Sequence, residues 1–130
     1  MKKIISTLAG VVLLSSLQTA LADESYRGTF KDKASSTPVP VTVNLSAANS
    51  PLLAGTIRFD GKWACGFDLE FIEAQELRKF YALRRAGAGR CEVLTQGSLV
   101  SRIEGDNLQV ELLNHKDESL YTVGLVRQGK

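Results

Sequence analysis

The sequence predicts an all-β fold, a single small antiparallel barrel or sandwich of about eight strands held by one disulfide. Three observations carry that prediction. From Tyr26 onward apolar residues recur with a period of two, the rhythm of strands that bury one face and wet the other. Gly, Asn, Asp and Pro punctuate the chain at hairpin-length intervals, and no segment is long enough for a crossover connection. Cys65 and Cys91 are the only 2 cysteines in 130 residues.

Residues 1–22 differ in character from the rest of the chain. Lys2 and Lys3 precede an apolar run from Ile4 to Leu17, and Ala20-Leu21-Ala22 supplies the small-x-small pattern of a signal-peptidase site. The run closes on Ser15, Ser16, Gln18 and Thr19, short of the ~20 apolar residues that span a bilayer. A signal peptide cleaved after Ala22 is therefore expected, leaving one exported, soluble, periplasmic β domain at 23–130. Asp23 stands where a lipoprotein would carry its lipid-attachment cysteine.

The expected strands are 26–31, 39–46, 53–60, 64–72, 78–85, 91–103, 107–113 and 119–127. Val39, Val41, Val43 and Leu45 alternate with Pro40, Thr42 and Asn44; Cys65, Phe67, Leu69 and Phe71 alternate with Asp68 and Glu70. The same rhythm runs through Leu53 to Phe59, Leu108 to Leu112 and Tyr121 to Leu125. Asp60-Gly61 and Gly105-Asp106-Asn107 are hairpin signals, because these residues tolerate positive φ at low cost. Lys33 to Pro38, Ala47 to Pro51 and Asn114 to Glu118 read as surface loops. Ile72 to Lys79 contains the helix formers Glu73, Ala74, Glu76 and Leu77, but it is too short for a structural helix and reads as a single turn between strands. Gly97 reads as a bend within one long strand, 91–103. Closing such a meander into a barrel also removes exposed edges.

Charge and cysteine content exclude several functions. The formal charge of +2 belongs to Lys2 and Lys3, so the expected domain is neutral and offers no global field for nucleic acid. Cys65 and Cys91 are too far apart for a Cys-x-x-Cys redox pair and read as a structural bridge, stabilising by roughly 3 to 4 kcal/mol in the chain-entropy picture. His115, the only histidine, sits in a polar stretch and reads as a solvated loop residue rather than a base. One histidine and two bridged cysteines do not make a zinc site. Asp68 and Glu70 share one strand face and invite comparison with a glycosidase pair, yet the wet face of a strand accounts for them. No enzyme, cofactor or metal is expected. Trp63, beside Cys65, reads as core, and one of Phe80 and Tyr81 must face outward.

The sharpest local feature is Arg84-Arg85-Ala86-Gly87-Ala88-Gly89-Arg90, ending on Cys91. Glycines let a backbone approach a partner closely, and guanidinium groups make bidentate hydrogen bonds to carboxylates. Arg84, Arg85, Gly87, Gly89 and Arg90 are thus the candidate partner-binding residues. The other reading is a soluble hairpin whose arginines only protect an edge.

Ala86-Gly87-Ala88-Gly89-Arg90, following Tyr81-x-Leu83, is similar to the Ser-Gly-containing loop of the membrane-bound and periplasmic C-type lysozyme inhibitors. The expected size, barrel and single disulfide likewise resemble small periplasmic lysozyme inhibitors and the immunity proteins that protect against cell-wall-degrading toxins. The Ser before Gly87, the Tyr after the loop and the later Trp-x-Lys-Gly element are absent here. What the resemblance implies is a binding role against another protein, a peptidoglycan hydrolase whose catalytic carboxylates complement an arginine loop. A small-ligand carrier, an accessory envelope protein, and a homodimer through strand edges stay open.

Overall fold

The computed structural model describes residues 23–46, 53–85 and 91–129. The expected signal peptide, the expected loop Ala47 to Pro51 and residues 86–90 of the arginine loop, with Gly87, Gly89 and Arg90 among them, lie outside the described residues. Of the two architectures left open by the sequence, the barrel is the one formed. Strands β1 (Glu24–Lys31), β2 (Pro38–Leu45), β3 (Gly55–Phe59), β4 (Cys65–Gln75), β5 (Arg78–Arg84), β6 (Ser98–Glu104), β7 (Asn107–Leu113) and β8 (Ser119–Arg127) pair in sequence order, and β1 closes on β8. Every pairing is antiparallel.

The period of two becomes an inside and an outside. Val39, Val41 and Val43, Ile57 and Phe59, Phe67 and Leu69, and Leu108, Val110 and Leu112 all point inward and are buried. Arg27, Asn44, Arg58 and Arg102 point outward and are exposed. Apolar inside and polar outside is the reverse of a barrel whose wall faces lipid. At the seam, the β1–β8 register covers Tyr26↔Arg127 and Arg27↔Val126. Gly28 makes the close approach there possible, since a Cβ on it would lie 2.4 Å from the Gly124 carbonyl oxygen and 2.6 Å from Leu125 Cδ2.

Two expectations about local structure are corrected. Residues 91–103 do not form one strand bent at Gly97: Glu92–Leu94 is a 3₁₀ turn, and β6 begins only at Ser98. The i, i+3 spacing of Cys91 and Leu94 places both in the core, with the Leu94 N–H donating to the Cys91 carbonyl at 2.9 Å. Gln96 then takes positive φ, and Gly97 joins the ladder edge through its carbonyl, which accepts from Leu83 N–H at 3.1 Å. The single turn expected over Ile72 to Lys79 is confined to residues 76–77. A bulge at Ile72 lets β4 run on to Gln75, and Glu76 at φ 58° turns the chain directly into β5. Pairing across that hairpin outweighs local helix propensity. Gly105 and Asp106 form the expected two-residue hairpin, with Gly105 at φ 67°.

The barrel has two ends of different construction. Segments 32–37, 60–64, 91–97 and 114–118 lie at one, with the Cys65–Cys91 disulfide. At the other are the turns 76–77 and 105–106, the β2–β3 connection, described at residues 46, 53 and 54, the start of β1 and the finish of β8.

Candidate functional site

The root of the arginine loop lies on the outer wall, where β5 leaves the barrel at the disulfide end. Arg84 closes β5 in register with Asp68 of β4. Its Nε donates to Glu70 Oε1 at 2.6 Å. Arg85 follows at φ 54°, which turns the chain off the strand. Its Nη1 stands 3.9 Å from Asp68 Oδ2, while the side chain is 85% exposed. Exposed pairs of this kind contribute little to stability, about 0–1 kcal/mol. Asp68 and Glu70, the outward carboxylates of β4, are thus the seat of the loop's first two arginines. The far stem is tied to the same strand, because Cys91 is bonded to Cys65, the first residue of β4, with Cα atoms 6.1 Å apart.

Arg85 does not stand alone. It borders a shallow outer groove of about 550 Å³, lined by Arg27, Thr42, Asn44, Thr56, Ile57, Arg58, Asp60, Gly66, Phe67 and Asp68. Register explains the convergence. One row across the wall reads Arg27↔Thr42↔Arg58↔Gly66, and the next reads Asn44↔Thr56↔Asp68↔Arg84. Gly66 leaves a dip beside Arg58, and a Cβ there would lie 2.9 Å from the Ile57 carbonyl oxygen. Arg58 Nε contacts Asp60 Oδ1 at 3.1 Å. Arg27 makes no ion pair among the described residues. Three guanidiniums against two carboxylates leave the groove cationic. No sequence motif links Arg27 to Arg58; only the strand order brings them to either side of Thr42.

Inside the barrel, the disulfide end is filled by rings. Phe30 meets Trp63 at 5.3 Å and Tyr121 at 4.5 Å between centroids, and Phe59 meets Trp63 at 5.2 Å. Trp63 is core, as its place beside Cys65 implied. Asp32 caps the cluster, accepting from Ala34 N–H at 2.9 Å, Trp63 Nε1 at 3.2 Å and Tyr121 OH at 3.4 Å. Those donors, the Ala34 amide first, hold its carboxyl below the ordinary range.

The remaining candidates separate cleanly. His115 is exposed in the 114–118 turn. Tyr81 faces inward and Phe80 outward, where the Arg78 guanidinium lies 5.3 Å from its ring centroid. Burial raises the Tyr81 phenol, against the opposing hydrogen bond with Ser101. At the other end Tyr26 OH donates to Glu24 Oε1 at 2.7 Å, and burial first, then that bond, pushes its pKa up to about 12. Among the described residues no three His, Cys, Asp or Glu side chains gather to hold a metal ion. No family model matches the chain, and no curated protein or solved structure shows significant similarity to it.

Proposed function

We propose that this chain is a non-enzymatic, exported binding protein that engages a carboxylate-bearing protein partner through the arginine loop, as an inhibitor or immunity protein acting on a cell-wall hydrolase. The observation that carries this reading is the bracing of the loop. One stem is a barrel strand, and the other is bonded through Cys91 to the strand that seats Arg84 and Arg85. Anchored stems lower the ordering cost of binding for the segment they flank. Within the loop the roles divide. Arg84, tied to Glu70 at 2.6 Å, positions the root. Arg85, exposed and only 3.9 Å from its nearest carboxylate, is available to exchange Asp68 for a carboxylate of the partner.

The test is peptidoglycan lysis by a panel of muramidases and amidases with the oxidised protein in excess. At least one enzyme is expected to be inhibited, and the Arg85→Glu, Arg90→Glu variant to lose on the order of 100-fold in potency, as for a charge reversal at an interface hot spot. Lysis unaffected across the panel, or inhibited equally by the variant, defeats the reading.

A further inference from the structure

The groove on the outer wall of β1–β4 has a chemistry of its own. Arg27, Arg58 and Arg85 stand around a floor that carries Thr42, Asn44 and Thr56. Strands in a sheet lie about 4.8 Å apart, so cations on β1, on β3 and just beyond β5 are spread over more than about 10 Å. No single carboxylate reaches all three. The site calls for a ligand that repeats its negative charges along its length, and the open, shallow shape calls for one that lies across the strands.

A polypeptide is a poor match for this surface. Backbone groups of β1 to β4 are consumed in the ladders β1·β2, β2·β3 and β3·β4, so a peptide on the sheet face finds no main-chain partners. The large apolar side chains exposed among the described residues also lie elsewhere, save Val126, which is opposite Arg27 on β8. What the wall does offer is guanidinium forks for carboxylates and side-chain hydroxyl and amide groups for hydroxyls. That combination matches a polyhydroxylated polyanion.

We infer that the Arg27–Arg58–Arg85 groove is a binding site for a carboxylated glycan, whose acid groups displace Asp60 and Asp68 from their arginines while its hydroxyls bond Thr42, Asn44 and Thr56. Asp60 and Asp68 are then internal competitors. Their removal strengthens binding, an effect no purely structural role for the arginines produces.

Calorimetric titration of the oxidised protein with hexagalacturonate, its methyl ester and hexaglutamate tests this. Hexagalacturonate is expected to bind and its ester not to bind. Arg27→Ala and Arg58→Ala are each expected to weaken binding roughly 10-fold, and Asp68→Asn to tighten it several-fold, as charge-assisted bonds are lost or freed. Both arginines are exposed, so circular dichroism should report unchanged folds. Affinity unchanged in Arg27→Ala and Arg58→Ala overturns the assignment, as does equal binding of the ester. Hexaglutamate binding as tightly as the glycan would move the site to acidic peptides and overturn it as well. Arg85 is shared with the loop, so the two readings are separated by the residues they do not share: Arg27→Ala and Arg58→Ala are expected to weaken glycan binding while leaving hydrolase inhibition intact, and a single Arg90→Glu substitution to do the reverse.

Discussion

At the disulfide end Phe30, Phe59, Trp63 and Tyr121 interlock beneath Asp32, with Leu94 and the Cys65–Cys91 bridge packed into the same core. At the hairpin end Ile72, Leu77 and Ile103 are exposed, and Glu24 of β1 and Arg127 of β8 form an ion pair of 3.5 Å. The lengths of the connections explain the contrast. Segments 60–64 and 91–97 are long enough to fold Trp63 and Leu94 back over the barrel interior. At the hairpin end the turns 76–77 and 105–106 are two residues long and have nothing to fold back, while the β2–β3 connection there is described only at residues 46, 53 and 54. Beyond Leu69, moreover, β4 has no ladder partner on β3 and pairs only with β5, so the hairpin overhangs the barrel. Among the described connections, sealing thus follows length, and β5 leads into the arginine loop at the sealed end.

The largest effect should come from emptying the ring cluster. Phe59→Ala is expected to cost about 4 kcal/mol of unfolding free energy, the usual loss for a buried phenylalanine. Leu77→Ala, at a position 75% exposed, should stay within about 0.5 kcal/mol. Urea titration of both variants reads the difference directly. A Leu77 cost approaching that of Phe59 would mean the hairpin end has a cover of its own, and the contrast would fail.

Next in size is the bridge. The Cys65→Ala, Cys91→Ala variant is expected to lose roughly 3 to 4 kcal/mol, since the bond closes a loop between residues separated by 26 positions. Amide exchange sharpens the point. Opening should be faster in 91–97 and around Trp63, with the 76–77 and 105–106 turns unchanged. Uniform acceleration would show that the bridge acts on the whole barrel and not on one end.

Strands, turns and the bridge were legible because each rests on local chemistry: alternation in Val39 to Leu45, positive φ at Gly105, two cysteines with no other partner. Residues 91–97 were misread because Cys91, Val93 and Leu94 satisfy a strand pattern loosely and a 3₁₀ turn better, and only the core position of Leu94 decides between them. At the β4–β5 hairpin the turn itself was legible, and the helix formers of 72–79 hid only how short it is, because strand pairing overrides them. At the site, Arg84 and Arg85 were visible as a cluster. Their seats, Asp68 and Glu70, were visible only as a wet strand face, and Arg27 and Arg58 not at all. Register across β2 is a tertiary fact, and nothing in either residue's neighbourhood announces it.

The smallest effects should divide the two ends by pH. Asp32, capping the rings, has its folded pKa depressed by the Ala34 amide and Trp63 Nε1. Its contribution is therefore full above the unfolded value of about 3.9 and is lost as pH falls through the folded value. Tyr26, beside Glu24 at the hairpin end, has its pKa raised to about 12. Below the unfolded value of about 10 its contribution is full, and it is lost as pH rises toward the folded one, because the native state there holds a proton the unfolded chain has released. Asp32→Asn should flatten the acid limb of the stability profile and leave the alkaline limb intact. Tyr26→Phe should do the reverse in part, the buried Tyr81 supplying the rest. Trp63 fluorescence follows the acid limb locally, and tyrosinate absorbance follows the alkaline one. Should Asp32→Asn alter both limbs equally, the ends would be one cooperative unit in their titration, whatever their construction.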